Sequence, residues 1–215
     1  MSDNAVFPKF KEALMKGTIG DLSHATNVVV KACVLDLDDL GTAITNATNA
    51  TPIVVTSATH GLTTGDIVLI SKVGGNTAAN EVSRVTVTDA NTFSLQDPVT
   101  GANVAGNGAY TSGGRVWKLT GIDFLDDIAS GARIGTPATL GSKTVSTAGV
   151  FDAADTTISA VTGDQAEAIL IYKFVTNDAD SVPMLVIAGA SSGLPVTPNG
   201  GDINITWPAA GIWKM

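Results

Sequence analysis

Residues 53–95 read IVVTSATHGLTTGDIVLISKVGGNTAANEVSRVTVTDANTFSL, a series of short apolar runs separated by turn residues. β-Branched residues favour strands, whereas Gly, Asn and Asp favour tight turns. Strands at this spacing predict a small antiparallel barrel or sandwich. The whole module is expected to occupy residues 43–119. Its predicted strands are Ile53–Thr56, Ile67–Ile70, Val82–Val87, Phe93–Leu95 and Val116–Leu119.

The sequences on either side of this module are expected to form one discontinuous β-sandwich from residues 1–42 and 120–215. Asn27–Leu37 is apolar on both faces, which predicts a strand inside a sheet rather than at its edge. Ala166–Val175 is the strongest β-type run in the chain. Shorter strands are predicted at Ala132–Gly135, Ala138–Leu140, Lys143–Val145, Gly149–Asp152, Thr156–Val161, Met184–Ala188, Ile203–Trp207 and, at an edge, Ile212–Met215.

A short amphipathic helix is predicted over Phe7–Lys16. Pro8 suits the first helical position, and Gly17 suits the position that follows the last turn. A helix of this length is unstable by itself and must dock on another surface. That surface is either the chain's own β domain or a neighbouring subunit, and the sequence leaves both open. The apolar face that would dock contains Phe7, Phe10, Ala13 and Leu14.

The composition favours an all-β structural chain. Of its 215 residues, 44% are hydrophobic but only 15% are charged and 5% aromatic, and 23 are glycine. The core must therefore come from aliphatic residues, with many tight turns between strands. A net charge of −8 and the lack of a Lys/Arg cluster argue against nucleic-acid binding, which needs a basic surface. The apolar runs are too short to span a membrane, and no signal peptide is recognisable.

Neither the single cysteine nor the tryptophans indicate a catalytic or binding site. Cys33 lies in an apolar strand and is expected to be a buried, inert thiol. Trp207 and Trp213 could form a carbohydrate platform, but aromatic residues of this kind more often anchor a core or an interface. The glycine-rich loops have no Gly-Lys-Ser/Thr sequence, so phosphate binding is unsupported. We therefore expect no enzymatic activity and no cofactor.

Acidic residues occur in three groups, which raises the question of a metal site. Calcium takes six to eight oxygen ligands, and Asp-rich loops can supply them. Paired carboxylates could also serve a glycosidase. Solvated strand ends and helix caps are commoner roles for Asp, so no metal site is predicted. The groups are Asp36, Asp38 and Asp39; Asp123, Asp126 and Asp127; and Asp152 and Asp155.

The central module resembles a small β module named after the first catalytic-cysteine half-domain of ubiquitin-activating enzymes. Modules of this type recur in bacteriophage structural proteins. The module contains no cysteine, so the resemblance implies a folded insert for surface contacts and no ubiquitin-transfer chemistry. The matching residues are Pro52–Thr56, His60–Asp66, Val73–Gly75, Asn80 and Asp89–Phe93.

The flanking sequences resemble a family of tailed-bacteriophage virion proteins. The resemblance covers roughly residues 9–40 and 120–215, and its most specific part is Gly193–Ile203, GLPVTPNGGDI. It implies a structural component of the particle rather than an enzyme. It does not distinguish the head from the tail.

These observations together predict a capsid decoration, or cement, protein that binds the outer head surface and stabilises the shell. Its expected location is the virion, assembled in the host bacterial cytoplasm. Its expected partners are the major capsid protein and copies of itself, as a trimer or a dimer, without nucleic acid or membrane. The alternatives are a tail or baseplate component and, less favoured, a glycan- or receptor-binding adhesion module. The predicted contact residues are Phe7, Phe10, Leu14 and Trp213.

Overall fold

The computed structural model describes residues 4–24, 27–188 and 193–214. Within these ranges the chain is all-β with one α-helix, α1 (Pro8–Met15), which confirms the predicted fold class. The strands are β1 (Asn4–Val6), β2 (Val29–Leu35), β3 (Thr42–Ala43), β4 (Asn46–Ala47), β5 (Val54–Thr56), β6 (Ile67–Ser71), β7 (Val82–Val87), β8 (Thr92–Gln96), β9 (Arg115–Lys118), β10 (Arg133–Thr139), β11 (Thr144–Val145), β12 (Val150–Asp152), β13 (Thr156–Ile158), β14 (Ala168–Phe174), β15 (Val182–Ala188), β16 (Ile203–Ile205) and β17 (Trp213–Lys214).

The chain divides into two compact units. The first is built on Leu37–Gly121, and the second comprises Val6–Asp36, Ile122–Val186 and Gly193–Met215. Short segments ending at Ala5 and beginning at Ile187 group with the first unit. The module predicted at residues 43–119 lies within the continuous part of the first unit.

The first unit contains one seven-stranded sheet in the order β3-β9-β6-β7-β8-β5-β4. Strands β6, β7 and β8 follow one another as antiparallel neighbours, so each is joined to the next by a hairpin connection. The apolar side chains of this sheet meet in a single core. Its members include Ile53, Val55, Val68, Ile70, Val85, Phe93, Leu95 and Val116, all less than 5% exposed.

Buried polar side chains join the loops of the first unit. The side chain of Asn76 is fully buried; its Nδ2 donates to the carbonyls of Ala47 and Thr48, at 3.3 and 2.8 Å. Its Oδ1 accepts from the backbone N–H of Asn107 at 3.1 Å. Asn107 in turn accepts from the N–H of Ala78 at 3.0 Å. One amide therefore ties together three segments that are distant in sequence.

Most of a five-stranded sheet, in the order β1-β15-β14-β2-β10, belongs to the second unit; residues 4–5 of β1 and residues 187–188 of β15 group with the first. Strand β2 pairs with β14 on one side and β10 on the other, so the prediction that it lies inside a sheet is confirmed. Two smaller sheets complete the unit, β11-β12-β17 and β13-β16. In the first of these, β17 is an edge strand as predicted; Met215, the last residue of that predicted strand, lies outside the described residues.

One strand prediction in the second unit is wrong. Ala132–Gly135 and Ala138–Leu140 were expected to be separate strands, but one strand, β10, runs from Arg133 to Thr139. Its pairing with β2 shifts between Ile134 and Ala138, where the strand is irregular. Gly135 at φ +72° permits this irregularity, because positive φ values strain other residues. The turn residues in this run therefore mark a bulge rather than the end of a strand.

Helix α1 docks on its own chain, which settles the two alternatives left by the sequence. The N–H of Phe7 donates to the carbonyl of Met184 at 3.1 Å, and this bond fixes the start of the helix. The ring of Phe10 contacts that of Trp213 edge to face, with 5.5 Å between centroids. Phe7 and Phe10 are 0% and 1% exposed. The apolar face of the helix is therefore part of the core of the second unit.

Candidate functional site

An apolar groove opens on the surface of the second unit beside helix α1. Its volume is about 150 Å³. We call it the apolar groove; its side chains are Leu14, Leu22, Val145, Phe151 and Trp213, with Asp21 as a charged member. The sequence predicted Leu14 and Trp213 as contact residues, and both of them line it.

The sheet β11-β12-β17 supplies one wall of the apolar groove. Phe151 lies directly opposite Val145 in one strand pair and opposite Trp213 in the other. Residues that face each other across antiparallel strands point to the same side of the sheet, so the three side chains form a continuous row. Val145 is 43% exposed at the end of this row.

Helix α1 supplies the opposite part of the apolar groove. Leu14 lies in its last turn, and the next residue, Met15, is 90% exposed. Phe10 packs beneath Trp213 and holds its ring in place. Since Phe7 and Phe10 present almost no surface, a partner bound here would contact Leu14, Met15 and Trp213 instead. Phe7 and Phe10, which the sequence also predicted as contact residues, have their apolar surface buried within the chain itself.

Charged side chains lie around the apolar groove. The carboxylate of Asp21 accepts hydrogen bonds from the N–H and hydroxyl of Ser23, at 2.9 and 2.6 Å. These bonds, the one from the hydroxyl above all, lower the pKa of Asp21, so its carboxylate is charged at neutral pH. Lys11 on α1 and Lys16, which directly follows the helix, are exposed, and Lys16 forms an ion pair with Glu12 one turn earlier. The apolar groove thus carries an acidic group on its lining and basic groups on the adjacent helix.

Several members of the acidic groups noted in the sequence form local ion pairs and hydrogen bonds. Asp38 pairs with Lys72 at 2.7 Å and with Arg115 at 3.6 Å within the first unit. In the second unit, Asp127 accepts from the N–H groups of Asp123 and Phe124, both at 2.9 Å. These are the capping and ion-pairing roles that are common for Asp.

Both members of the third acidic group accept backbone hydrogen bonds. Asp155, which precedes β13, accepts from the N–H of Trp207, which follows β16, at 3.0 Å, and this bond joins the two strands near their ends. Asp152 accepts from the N–H of the next residue, Ala153, at 2.9 Å.

Trp207 and Cys33 are core residues. The indole Nε1 of Trp207 donates to the carbonyl of Ala154 at 3.1 Å, and the residue is only 8% exposed. Cys33 is fully buried in β2, and burial raises its pKa to about 12. A thiol with so high a pKa is not a nucleophile at neutral pH. The prediction that Cys33 is buried is confirmed.

A second concave surface lies within the first unit. It has a volume of about 540 Å³ and mixes polar and apolar lining. We call it the polar cleft; its polar side chains are Thr77, Asn80, Glu81, Asp97, Thr100 and Asn103. The carboxylate of Asp97 holds the adjoining loop by accepting from the N–H groups of Val99 and Thr100, at 2.9 and 2.7 Å. These same bonds, with that from Thr100 the larger, lower the pKa of Asp97.

The sequence did not single out Leu22, Met15, Val145 and Phe151 as surface residues. Met15 carried a usable signal, because it is a large apolar residue outside the predicted apolar face of the helix. Val145 and Phe151 carried none, since their alignment with Trp213 depends on pairing between strands that are far apart in the chain.

Comparisons with known proteins add no assignment to this geometry. Among the described residues, no helix combines the length and the apolar character that crossing a membrane requires. A scan against protein-family models found no match, and a search of curated proteins found none either.

Proposed function

We propose that this chain is a structural component of a tailed-bacteriophage virion, a capsid decoration protein that binds the outer head surface and stabilises the shell. The resemblance at Gly193–Ile203 motivates the proposal. The observation that carries it is the apolar groove, in which Leu14 and Trp213 meet beside exposed Met15 and Val145. An apolar hollow with aromatic and aliphatic walls is the kind of surface that anchors a protein partner.

The proposed mechanism is mass action. A protein that binds the assembled shell but not its loose subunits shifts the equilibrium toward the shell. The apolar groove would take up an apolar side chain of the partner, and burial of that surface drives association. No bond-making step is required of any residue. The first unit would add a second contact surface, as the resemblance of its central module implies.

The test is co-sedimentation of the purified chain with phage heads that lack it. We expect saturable binding by the wild-type chain. Val145→Asp places a charge at the wall of the apolar groove and should weaken binding at least about tenfold. Val99→Asp is the matched control, because Val99 is also apolar and is 87% exposed but does not line the apolar groove. Equal binding by both variants, or none by the wild-type chain, would contradict the proposal.

A tail or baseplate location is the alternative within the same class. It differs from the head location in the number of copies, because a shell is decorated many times whereas a tail holds few copies of most components. Quantitative mass spectrometry of purified particles measures that number against the major capsid protein. A ratio near that of a minor tail protein would favour the alternative.

A glycan- or receptor-binding role is the second candidate, and the polar cleft is the observation that favours it. Its volume falls in the usual range of small-ligand sites, roughly 300–1,000 Å³. Its Asn and Thr side chains and its two carboxylates could accept hydrogen bonds from sugar hydroxyls. A glycan array probed with the full chain tests this role. Binding that is lost in Asn103→Ala, and kept in the control Asn91→Ala outside the cleft, would support it.

A further inference from the structure

We infer that the apolar groove binds a second copy of this chain, and that Met15 of each copy enters the groove of the other. The inference rests on the proposed function: copies that decorate one shell are neighbours, and the apolar groove would join two of them, so that damage to the groove weakens their attachment to the shell. It goes further in fixing the residue that fills the groove and the symmetry of the contact. A contact in which each copy gives and receives the same residue has twofold symmetry.

The side chain that would enter the groove is unusually exposed. Met15 is 90% exposed at the end of α1, directly after Leu14, which lines the groove. Methionine is flexible and polarisable, so it adapts to irregular apolar hollows better than a branched side chain. The protruding residue and the hollow are thus neighbours on one surface. That adjacency lets two copies exchange the same contact.

The apolar groove matches a methionine side chain in size and polarity. Its volume is about 150 Å³, and five apolar side chains form most of its lining. An apolar protein cavity of about 150 Å³ accepts a molecule as large as benzene, so a linear thioether chain fits. Burying the thioether would also cover the exposed edges of Val145 and Trp213.

Charge complementarity favours a second copy of this chain over an unrelated apolar partner. Asp21 is the charged residue on the lining, and Lys16 follows Met15 in sequence with its side chain 64% exposed. Lys11 lies one helical turn before Met15 and is also exposed. A copy that inserts Met15 therefore brings Lys16, which pairs with Glu12 in the single chain, toward the carboxylate of Asp21 in its partner. Opposite charges at the rim of an interface fix its register and speed association.

Sedimentation velocity of the full purified chain over a concentration series tests the inference. We expect the wild-type chain to form a dimer. Met15→Asp should shift it to a monomer, because a charge cannot be buried in the apolar hollow without a partner. Since Met15 is exposed in the single chain, its substitution should leave the fold and the melting temperature unchanged. Val99→Asp, an equally exposed apolar-to-acid change, should leave the dimer intact.

A charge exchange tests the register independently of the hollow. Asp21→Lys alone and Lys16→Asp alone should each weaken the dimer severalfold. The double variant should recover much of the lost affinity, because the pair is restored with opposite polarity. A wild-type monomer, a dimer that survives Met15→Asp, or a double variant weaker than both single ones would overturn the inference.

Failure here can be told apart from failure of the proposed function. A chain that stays monomeric in solution but binds phage heads through Val145 would refute the second copy and keep the decoration role. In that case the head surface, rather than another copy, fills the groove. A dimer that is absent from finished particles would support the contact between copies and refute the decoration role.

Discussion

The two units differ in how far apart along the chain the strands at the middle of their sheets lie. In the first unit, β6, β7 and β8 pair in the order in which they occur, although β9 pairs with the distant strands β3 and β6 at one side. In the second, β2 pairs with β14, so that Val34 lies opposite Ile169. Short-range pairing closes small loops, whereas long-range pairing must first pay the entropy of closing a large one. The comparison teaches that local turn chemistry specifies the middle of the first sheet and that distant apolar matching specifies the pairing of β2 with β14.

The units also differ in what joins their loops. The first unit uses polar links, among them the amide of Asn76 and the ion pair between Asp66 and Lys118, whose Oδ2 and Nζ are 2.8 Å apart. The second unit has polar links as well, such as the ion pair between Arg133 and Asp178 at 2.7 Å, but aromatic and aliphatic contacts, such as that of Phe10 with Trp213, hold helix α1. Apolar contacts continue from the helix to the surface in the apolar groove. The proposed interface therefore extends the apolar packing of helix α1.

Removing a large core side chain should cause the largest loss of stability, and the loss should be confined to the first unit. Phe93 is fully buried and contacts His60 edge to face, with 5.1 Å between centroids. Phe93→Ala leaves a cavity and should cost about 3–5 kcal/mol. Amide hydrogen exchange in β7 should accelerate accordingly. The matched change Leu170→Ala should lower the free energy of unfolding by about 2–5 kcal/mol and should instead accelerate exchange in β14. Identical exchange patterns in the two variants would contradict the difference between the units.

Removing the buried amide of Asn76 should cause the next largest loss of unfolding free energy. Asn76→Ala loses two donated bonds and one accepted bond, and it leaves the buried carbonyl of Ala47 and the partly buried backbone groups of Thr48 and Asn107 without this partner. At about 1 kcal/mol for each bond and more for each stranded group, the cost should be roughly 2–4 kcal/mol. Urea denaturation measures it. The control Asn177→Ala removes an exposed cap in the second unit and should cost about 1 kcal/mol or less. A similar loss of unfolding free energy in both variants would contradict the larger stabilisation expected from Asn76.

A smaller effect should depend on pH. Burial raises the pKa of Asp66, but hydrogen bonds from Lys118 and Thr63 outweigh it and hold the pKa below its usual value. The pKa of Asp66 is lower in the folded chain than in the unfolded chain, where it is about 3.9. The charged carboxylate therefore stabilises the fold fully at pH values above about 3.9, and this stabilisation is lost as the pH falls through the folded pKa. Asp66→Asn should therefore be less stable than wild type at neutral pH by on the order of 1 kcal/mol. The gap should close in urea titrations as pH falls below about 4; a constant gap would contradict this origin.

The smallest expected loss of stability comes from a cation–π contact in the second unit. The Nζ of Lys31 lies 3.8 Å from the centroid of the Phe174 ring. Such a cation–π contact at a partly exposed site contributes about 0.5–1 kcal/mol. Lys31→Gln should lose about that amount in urea denaturation, and Lys173→Gln serves as its control in the same sheet. Equal stability of the two variants would show that the contact contributes nothing measurable to the free energy of unfolding.

Much of the fold could be predicted from short-range patterns. Strand β7 was predicted with both ends correct, Val82–Val87, because apolar alternation and flanking turns define it locally. The helix was predicted within one residue at each end. The continuous strand β10, the central links made by Asn76 and the order of the five-stranded sheet could not be predicted. Each depends on which distant segments meet, and no local pattern encodes that.

The candidate site was predictable only in part. Leu14 and Trp213 were predicted as contact residues from side-chain type and place in the chain, and they line one groove. Phe7 and Phe10 are also large apolar residues, but their side chains are buried. Amphipathicity shows which face of a helix is apolar. It does not show how much of that face the chain itself will cover.

The most direct test is a count of this chain in purified phage particles against the major capsid protein, by quantitative mass spectrometry. The account predicts a copy number comparable to that of the major capsid protein, together with protection of Met15 from oxidation in the intact particle. A chain missing from the particles, or present with Met15 as readily oxidised as in the unfolded chain, would contradict it.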